Sequence, residues 1–194
     1  MMSVSPIVQA TLQAVVINAG SNVLAQGIKA YRADIPFEFD LQALIQFTAC
    51  AIITTPLNYV WQTNLEASFP GTSSKPEPTH NEKPDTTKPE KFEKPSRSTL
   101  NVGNTITKVV IDQTIGGTWN TVLFLFTMGL LRGQHYGDVL GQIREEFWPI
   151  MSAGFKLWPF VSILNFTVVP VEQRLLVGSL FGVVWAVYLS LMSG

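Results

Sequence analysis

The chain has 194 residues, of which 46% are hydrophobic and only 14% are charged, and its formal net charge is −1. Eleven charged residues lie between Lys75 and Arg97, so the rest of the chain carries far less charge than the ~25% of a typical globular domain. These values exclude a water-soluble globule, and the absence of a basic block excludes a nucleic-acid-binding protein. The single cysteine, Cys50, excludes a disulfide framework and a multi-cysteine zinc site.

Five long segments with almost no charge predict an all-α, polytopic membrane protein. About 20 helical residues cross the hydrocarbon layer of a bilayer, and the five segments have about this length. They are residues 6–28, 41–60, 113–131, 147–169 and 175–192. The first segment is rich in amides and the fourth contains Pro149 and Pro159, which we expect to bend it. We therefore expect four to five transmembrane helices in a compact bundle, with lipid as the main partner.

A segment of different composition separates the second and third spans. Residues 70–99 hold six of the twelve prolines, together with many Lys, Glu, Thr and Ser residues. Such a segment buries too little apolar surface to offset the entropy lost on ordering. The chain is thus divided into a first membrane helix pair (1–69), a disordered Pro/Lys/Glu-rich loop (70–99) and a set of C-terminal membrane helices (100–194).

Residues 138–147 have a helical amphipathic pattern. Val139, Leu140, Ile143 and Phe147 share one face, and charged residues occupy the other. The pattern predicts a short helix on the membrane surface. An amphipathic connector beginning at Asp138 explains it equally well.

Polar side chains recur at four-residue intervals within the spans, where an unpaired polar group is costly. Asn18, Asn22 and Gln26 form one such ridge, and Asp112 and Asn120 lie on another. Because these residues either join helices to each other or line an aqueous pathway, we regard them as candidate pathway residues.

Two further features concern the fourth and fifth spans. Lys156 lies near the middle of the fourth, and Asp112 is the acidic residue closest to a span, so we expect an Asp112–Lys156 pair or a shared aqueous cavity. The alternative is that each side chain extends separately to an interface. Gly178, Gly182 and Ala186 form a small-residue series that favours helix packing within the chain or in a homo-oligomer.

Patterns typical of catalysis are missing from the sequence. Of the two histidines, His80 lies in the loop and His135 lies near Arg132. No zinc-protease, P-loop or nucleophile-elbow motif occurs in the sequence. We expect no enzymatic activity, no metal and no cofactor.

The C-terminal third resembles a known family. A lysine followed by Trp-Pro precedes Asn-Phe, Val-Pro, an arginine and a closing Trp-x-x-Tyr-Leu-Ser, and an earlier Trp-Pro pair and Asp112-Gln113 also fit. The pattern resembles the 22-kilodalton peroxisomal membrane protein family, which includes a mitochondrial inner-membrane protein associated with mitochondrial DNA depletion. The matching residues are Trp148, Pro149, Lys156, Trp158, Pro159, Asn165, Phe166, Val169, Pro170, Arg174, Trp185, Tyr188, Leu189 and Ser190.

The resemblance implies a weakly selective, gated channel for small solutes in the mitochondrial inner membrane or the peroxisomal membrane. A pore needs water-facing polar residues on apolar helices, and the pathway candidates are Asn18, Asn22, Gln26, Asp112, Asn120, Lys156 and Asn165. Arg174 is expected among lipid headgroups. The alternative function is a non-conducting membrane organiser that recruits partners through the loop or the surface helix.

Overall fold

Helices dominate the residues that the computed structural model describes, which are 5–73 and 99–192. The N-terminal part forms α1 (Pro6–Arg32) and α2 (Leu41–Ser68). A short antiparallel pair follows, made of β1 (Thr72–Ser73) and β2 (Thr99–Leu100). The C-terminal part forms α3 (Val102–Ile111), α4 (Gly117–Leu131), α5 (Tyr136–Gly154), α6 (Trp158–Thr167) and α7 (Arg174–Met192).

The helices have the length and apolarity of membrane spans, which confirms the predicted fold class. Four spans are α1, α2, the continuous rod Val102–Leu131 and the last helix with its preceding turn. The pair α5 and α6 is bent by 58° and counts as a fifth if it is one broken span. Large apolar side chains point outward along these helices; Val16 and Ile45, for example, are 71% and 59% exposed. A bilayer supplies the apolar surroundings that this surface requires.

The helices pack around a shared centre. The first helix lies between α2 and α7, α2 also contacts α4, α4 contacts α5, and α3 contacts α6. The connection between α1 and α2 is held by Gln26, whose amide donates to the carbonyl of Asp40 at 3.0 Å and accepts from its N–H at 2.8 Å. The Asp40 carboxylate then caps α2 by accepting from the Ala43 N–H at 2.8 Å.

The break in the fourth predicted span lies at a different place from the one expected. Pro149 is inside α5, and the chain leaves the helix only after Gly154. Pro159 lies in the first turn of α6, where the missing N–H has no helical partner to lose. The bend therefore falls between the two prolines, at residues 155–157.

The predicted disordered loop, residues 70–99, lies mostly outside the described residues, which stop at 73 and resume at 99. Its two described ends are held together. Thr72 pairs with Leu100 in the short sheet, and the Asn101 N–H donates to the Gly71 carbonyl at 2.8 Å. The segment thus leaves and rejoins the helices at one point.

The amphipathic segment 138–147 is the first part of α5 and packs on α4. His135 occupies the N-cap position, so the helix begins before Asp138, which lies in its first turn. Val139 is completely buried and faces Gly129 of α4. The structure therefore favours the connector over a separate surface helix.

The contact at Gly129 generates a stability prediction. A Cβ at this position would lie 2.7 Å from both Val139 Cγ2 and Gln134 Oε1, so Gly129→Ala should destabilise the protein by about 1–3 kcal/mol through overpacking. Gly137→Ala in α5 is the matched control, because a Cβ there meets nothing within 4 Å. Thermal unfolding in detergent should show a lower Tm for the first variant only; equal Tm values would contradict the packing.

Candidate solute cavity

A cavity of about 580 Å³ lies among the membrane-spanning helices. Its wall is formed by side chains from α1, α2, α4, α5, α6 and α7, and by the turn that joins α3 to α4. Apolar residues such as Phe47 and Phe124 share this wall with a series of amides and hydroxyls. The cavity is therefore amphipathic and lies at the depth of the spans.

Asp112 is the centre of the polar wall. One carboxylate oxygen, Oδ1, accepts from Trp61 Nε1 at 3.1 Å and from Gln62 Nε2 at 3.0 Å, both on α2. The other oxygen accepts from the Ser162 hydroxyl of α6 at 2.6 Å. Gln113 Nε2 donates to the same hydroxyl at 2.7 Å. The carboxylate thus connects three helical elements through neutral donors.

The backbone at Asp112 departs from an α-helix. Residues Asp112–Gly116 form a π turn between α3 and α4, a type of irregularity that is often found at functional sites. Gly116 allows the indole of Trp61 to come close, because a Cβ there would be 3.0 Å from its Nε1 and 3.1 Å from Asp112 Oδ1. A larger residue at position 116 would push Trp61 away from the carboxylate.

A buried ion cluster adjoins the cavity through Arg174. Glu66 Oε2 contacts Lys108 Nζ at 2.5 Å and Arg174 Nη2 at 2.7 Å. The Lys108 side chain is fully buried, that of Arg174 is 5% exposed, and that of Glu66 is 23% exposed. The second Glu66 oxygen accepts from the Gly71 N–H at 2.7 Å. The Glu66 carboxylate therefore forms ion pairs with two cations and a hydrogen bond with the backbone at the start of the loop.

Residues that carry the family resemblance complete this cluster. The Phe166 ring lies beside both cations, 5.2 Å from Lys108 Nζ and 4.9 Å from Arg174 Cζ, within the range of cation–π attraction. Arg174 Nε also donates to the carbonyls of Asn165 at 3.1 Å and Val169 at 3.3 Å. The expectation that Arg174 lies among headgroups is therefore wrong, because its guanidinium is buried and is bonded to Glu66 and to backbone carbonyls inside the protein.

Most of the predicted pathway residues line the cavity. It contains Asn18, Asn22, Asp112, Asn120 and Asn165, which come from positions far apart in the sequence. Gln26 lies outside the wall; its amide bonds Asn22 and the backbone of Asp40. The structure brings together five of the seven candidates.

Lys156 differs from its prediction. The ion pairs of the described residues do not include it, and the Asp112 carboxylate is bonded to other partners. Lys156 is exposed and lines a separate apolar groove beside Trp185 and Tyr188. The expected Asp112–Lys156 pair does not form, because the break before α6 directs position 156 to the outer surface.

The small residues of α7 also face the cavity. Gly178, Gly182 and Ala186 are part of its wall, and a Cβ at either glycine would meet nothing within 4 Å. They create open space and do not bring a neighbouring backbone into contact, so the expected tight packing within the chain is absent at the two glycines. A homo-oligomer contact stays a prediction.

Sequence reasoning missed several functional residues of the site. Glu66 and Lys108 were placed outside the spans, because the second segment was ended at residue 60 and the third was begun at 113. The helices extend further in both cases. A signal was available, since Asn58, Gln62 and Glu66 repeat the four-residue spacing of the first helix, and Lys108 precedes Asp112 by the same interval.

Several polar atoms of the wall residues are buried without a protein partner. They are Asn58 Oδ1, Gln62 Oε1, Asn165 Oδ1 and Arg174 Nη1. Buried polar groups are normally hydrogen-bonded, so these atoms indicate water or a polar solute in this region. Within residues 5–73 and 99–192, no three His, Cys, Asp or Glu side chains come close enough to hold a metal ion.

The ion cluster generates a second stability prediction. Glu66→Gln should destabilise the protein by about 3 kcal/mol, because it leaves two buried cations without a carboxylate. Glu145→Gln is the control, since Glu145 is exposed on α5. Thermal unfolding in detergent measures the difference, and a Glu66 variant as stable as the control would contradict the assigned role.

Comparison with known proteins finds a family match in the C-terminal part. Residues 129–190 match the model of the Mpv17 / PMP22 family. This region contains both Trp-Pro pairs, Phe166 and Arg174, so it supplies one wall of the cavity and half of the ion cluster.

Relatives from several organisms are similar over longer stretches. The chain is 28% identical to Mpv17-like protein of Bos taurus over 69% of its own length and 53% of that protein, so it spans about half of this relative. It is 22% identical to Protein sym1 of Schizosaccharomyces pombe over 96% of its own length and 84% of that protein. It is 23% identical to PXMP2/4 family protein 3 of Dictyostelium discoideum over 78% of its own length and 67% of that protein. No solved structure matches the chain.

These matches confirm the family resemblance carried by the Trp-Pro, Asn-Phe and Val-Pro pairs. They also confirm the predicted localisation in the mitochondrial inner membrane or the peroxisomal membrane, where the apolar outer surface of the helices contacts lipid. The chain is therefore similar to the Mpv17 / PMP22 family of integral membrane proteins, most directly through residues 129–190.

Proposed function

We propose that this protein is a weakly selective, gated channel for small polar solutes. The observation that carries the proposal is the convergence of Asn18, Asn22, Asp112, Asn120 and Asn165 on one cavity within the membrane-spanning helices. A solute that leaves water must find replacement hydrogen bonds inside the membrane. The amides, the hydroxyls and the Asp112 carboxylate supply them.

The proposed gate is the hydrogen-bond network at Asp112. It connects α2, α6 and the π turn at one level of the bundle. Rearranging these bonds would move α6, which is already separated from α5 by a 58° bend. Two arrangements of such a network are the kind of bistable element that switching requires.

Filling the cavity should block transport. Gly182→Leu adds a side chain where a Cβ meets nothing within 4 Å, so the variant should fold and yet narrow the passage. Gly20→Leu on α1 is the matched control, because Gly20 is exposed, equally open and outside the cavity wall. Mannitol uptake into proteoliposomes should fall severalfold for the first variant and stay unchanged for the second. Full uptake through a folded Gly182→Leu variant would contradict the proposed path.

The alternative function, a scaffold that recruits partners through the loop, predicts a different result. Residues 74–98 can be replaced by a short turn, because the Asn101 N–H and the Gly71 carbonyl already lie 2.8 Å apart. A channel should keep its mannitol uptake and its ability to restore organelle function in cells that lack the protein. Loss of that ability with uptake intact would favour the scaffold.

A further inference from the structure

The cavity wall contains one acidic and one basic side chain. Among its lining residues, all of which belong to the described part of the chain, only Asp112 and Arg174 are charged. The remaining polar wall residues are neutral amides, hydroxyls and one thiol. The cavity thus combines two opposite fixed charges with neutral hydrogen-bonding groups.

The negative charge of Asp112 is not matched by a cation. Its three bonded partners, Trp61, Gln62 and Ser162, are neutral donors. Neither ion pair of the described residues involves it. Hydrogen bonds stabilise this carboxylate, but its charge still attracts a cationic group that enters the cavity.

The positive charge of Arg174 is only partly compensated. Glu66 is shared with Lys108, so two cations and one carboxylate leave a surplus positive charge. Arg174 is 5% exposed and its Nη1 lacks a protein partner. The guanidinium therefore keeps donor capacity for an anionic group.

Asp112 and Arg174 are both bonded to α6. Asp112 is bonded to Ser162, and Arg174 Nε is bonded to the Asn165 carbonyl. Ser162 and Asn165 are three residues apart, which is roughly 5 Å along a helix axis. The two charged residues are therefore attached to α6 within about one helical turn, and both line the same cavity.

We infer that the preferred solute of this cavity is a small zwitterion of the amino-acid type. Its ammonium group would bind near Asp112 and its carboxylate near Arg174. This inference rests on the proposed channel function and names its solute class. Asp112 would repel a simple anion, Arg174 would repel a simple cation, and a neutral solute would form an ion pair with neither. Only the zwitterion pairs with both.

Four solutes of nearly the same shape separate these cases. Alanine carries both charges, lactate only the carboxylate, alaninol only the ammonium, and 1,2-propanediol neither. Uptake of each into proteoliposomes at neutral pH is measured as the excess over protein-free vesicles. The expected order places alanine first.

An isosteric substitution tests the role of Asp112. Asp112→Asn keeps the shape and can still bond Trp61 and Ser162, but it leaves Arg174 as the charged group of the wall. The ratio of alanine to lactate uptake should fall about tenfold or more, because the loss of one charged hydrogen bond changes affinity by that factor. Glu145→Gln, on the exposed surface of α5, should leave the ratio unchanged.

Failure of the inference and failure of the channel are distinguishable. Mannitol uptake with no preference for alanine, or an unchanged ratio in a folded Asp112→Asn variant, would overturn the zwitterion assignment and keep the channel. No uptake of any solute would overturn the channel. In that case, alanine should still raise the Tm of the detergent-purified protein more than lactate or alaninol does, and the absence of this difference would reject the binding site too.

Discussion

A cation buried inside a protein must find a partner there, and the Glu66–Lys108–Arg174 cluster meets this requirement for two cations. A buried charge that loses its partner costs about 3–5 kcal/mol, and Lys108 and Arg174, both buried, contact one partly exposed Glu66 carboxylate at 2.5 and 2.7 Å. They belong to α2, α3 and α7, and Glu66 also bonds the backbone at Gly71. The cluster therefore fixes three helices and the base of the loop relative to each other.

The cavity follows from where the polar residues lie once these helices are fixed. Asn18 and Asn22 are one turn apart on α1, Asn58 and Gln62 are one turn apart on α2, and Asp112 faces the latter pair. A four-residue interval keeps side chains on one helical face. Each helix thus turns a polar stripe toward the centre and an apolar surface toward lipid. Glycines 178 and 182 on α7 leave space in front of these stripes.

The sequence was sufficient for whatever depends on local pattern. Uncharged length predicted the spans, and four-residue spacing selected four of the residues that line the cavity, Asn18, Asn22, Asp112 and Asn120. It was insufficient where the outcome depends on tertiary partners. Arg174 was assigned to headgroups because it follows the break at Pro170, whereas Glu66 reaches it from more than a hundred positions away. Lys156 was paired with Asp112 because it lies near the middle of the segment predicted as one span, and the break after Gly154 turned it outward.

The size of the cavity argues that it is filled. A space of about 580 Å³ is large enough for several water molecules, and polar groups line it. A lipid chain there would place hydrocarbon against the Asp112 carboxylate and the amide stripes, which is unfavourable. Water or a polar solute fills the space and bonds these groups. The fold therefore has a polar interior, because the amide, hydroxyl and charged groups that hold the helices together can also bond a solute in the cavity.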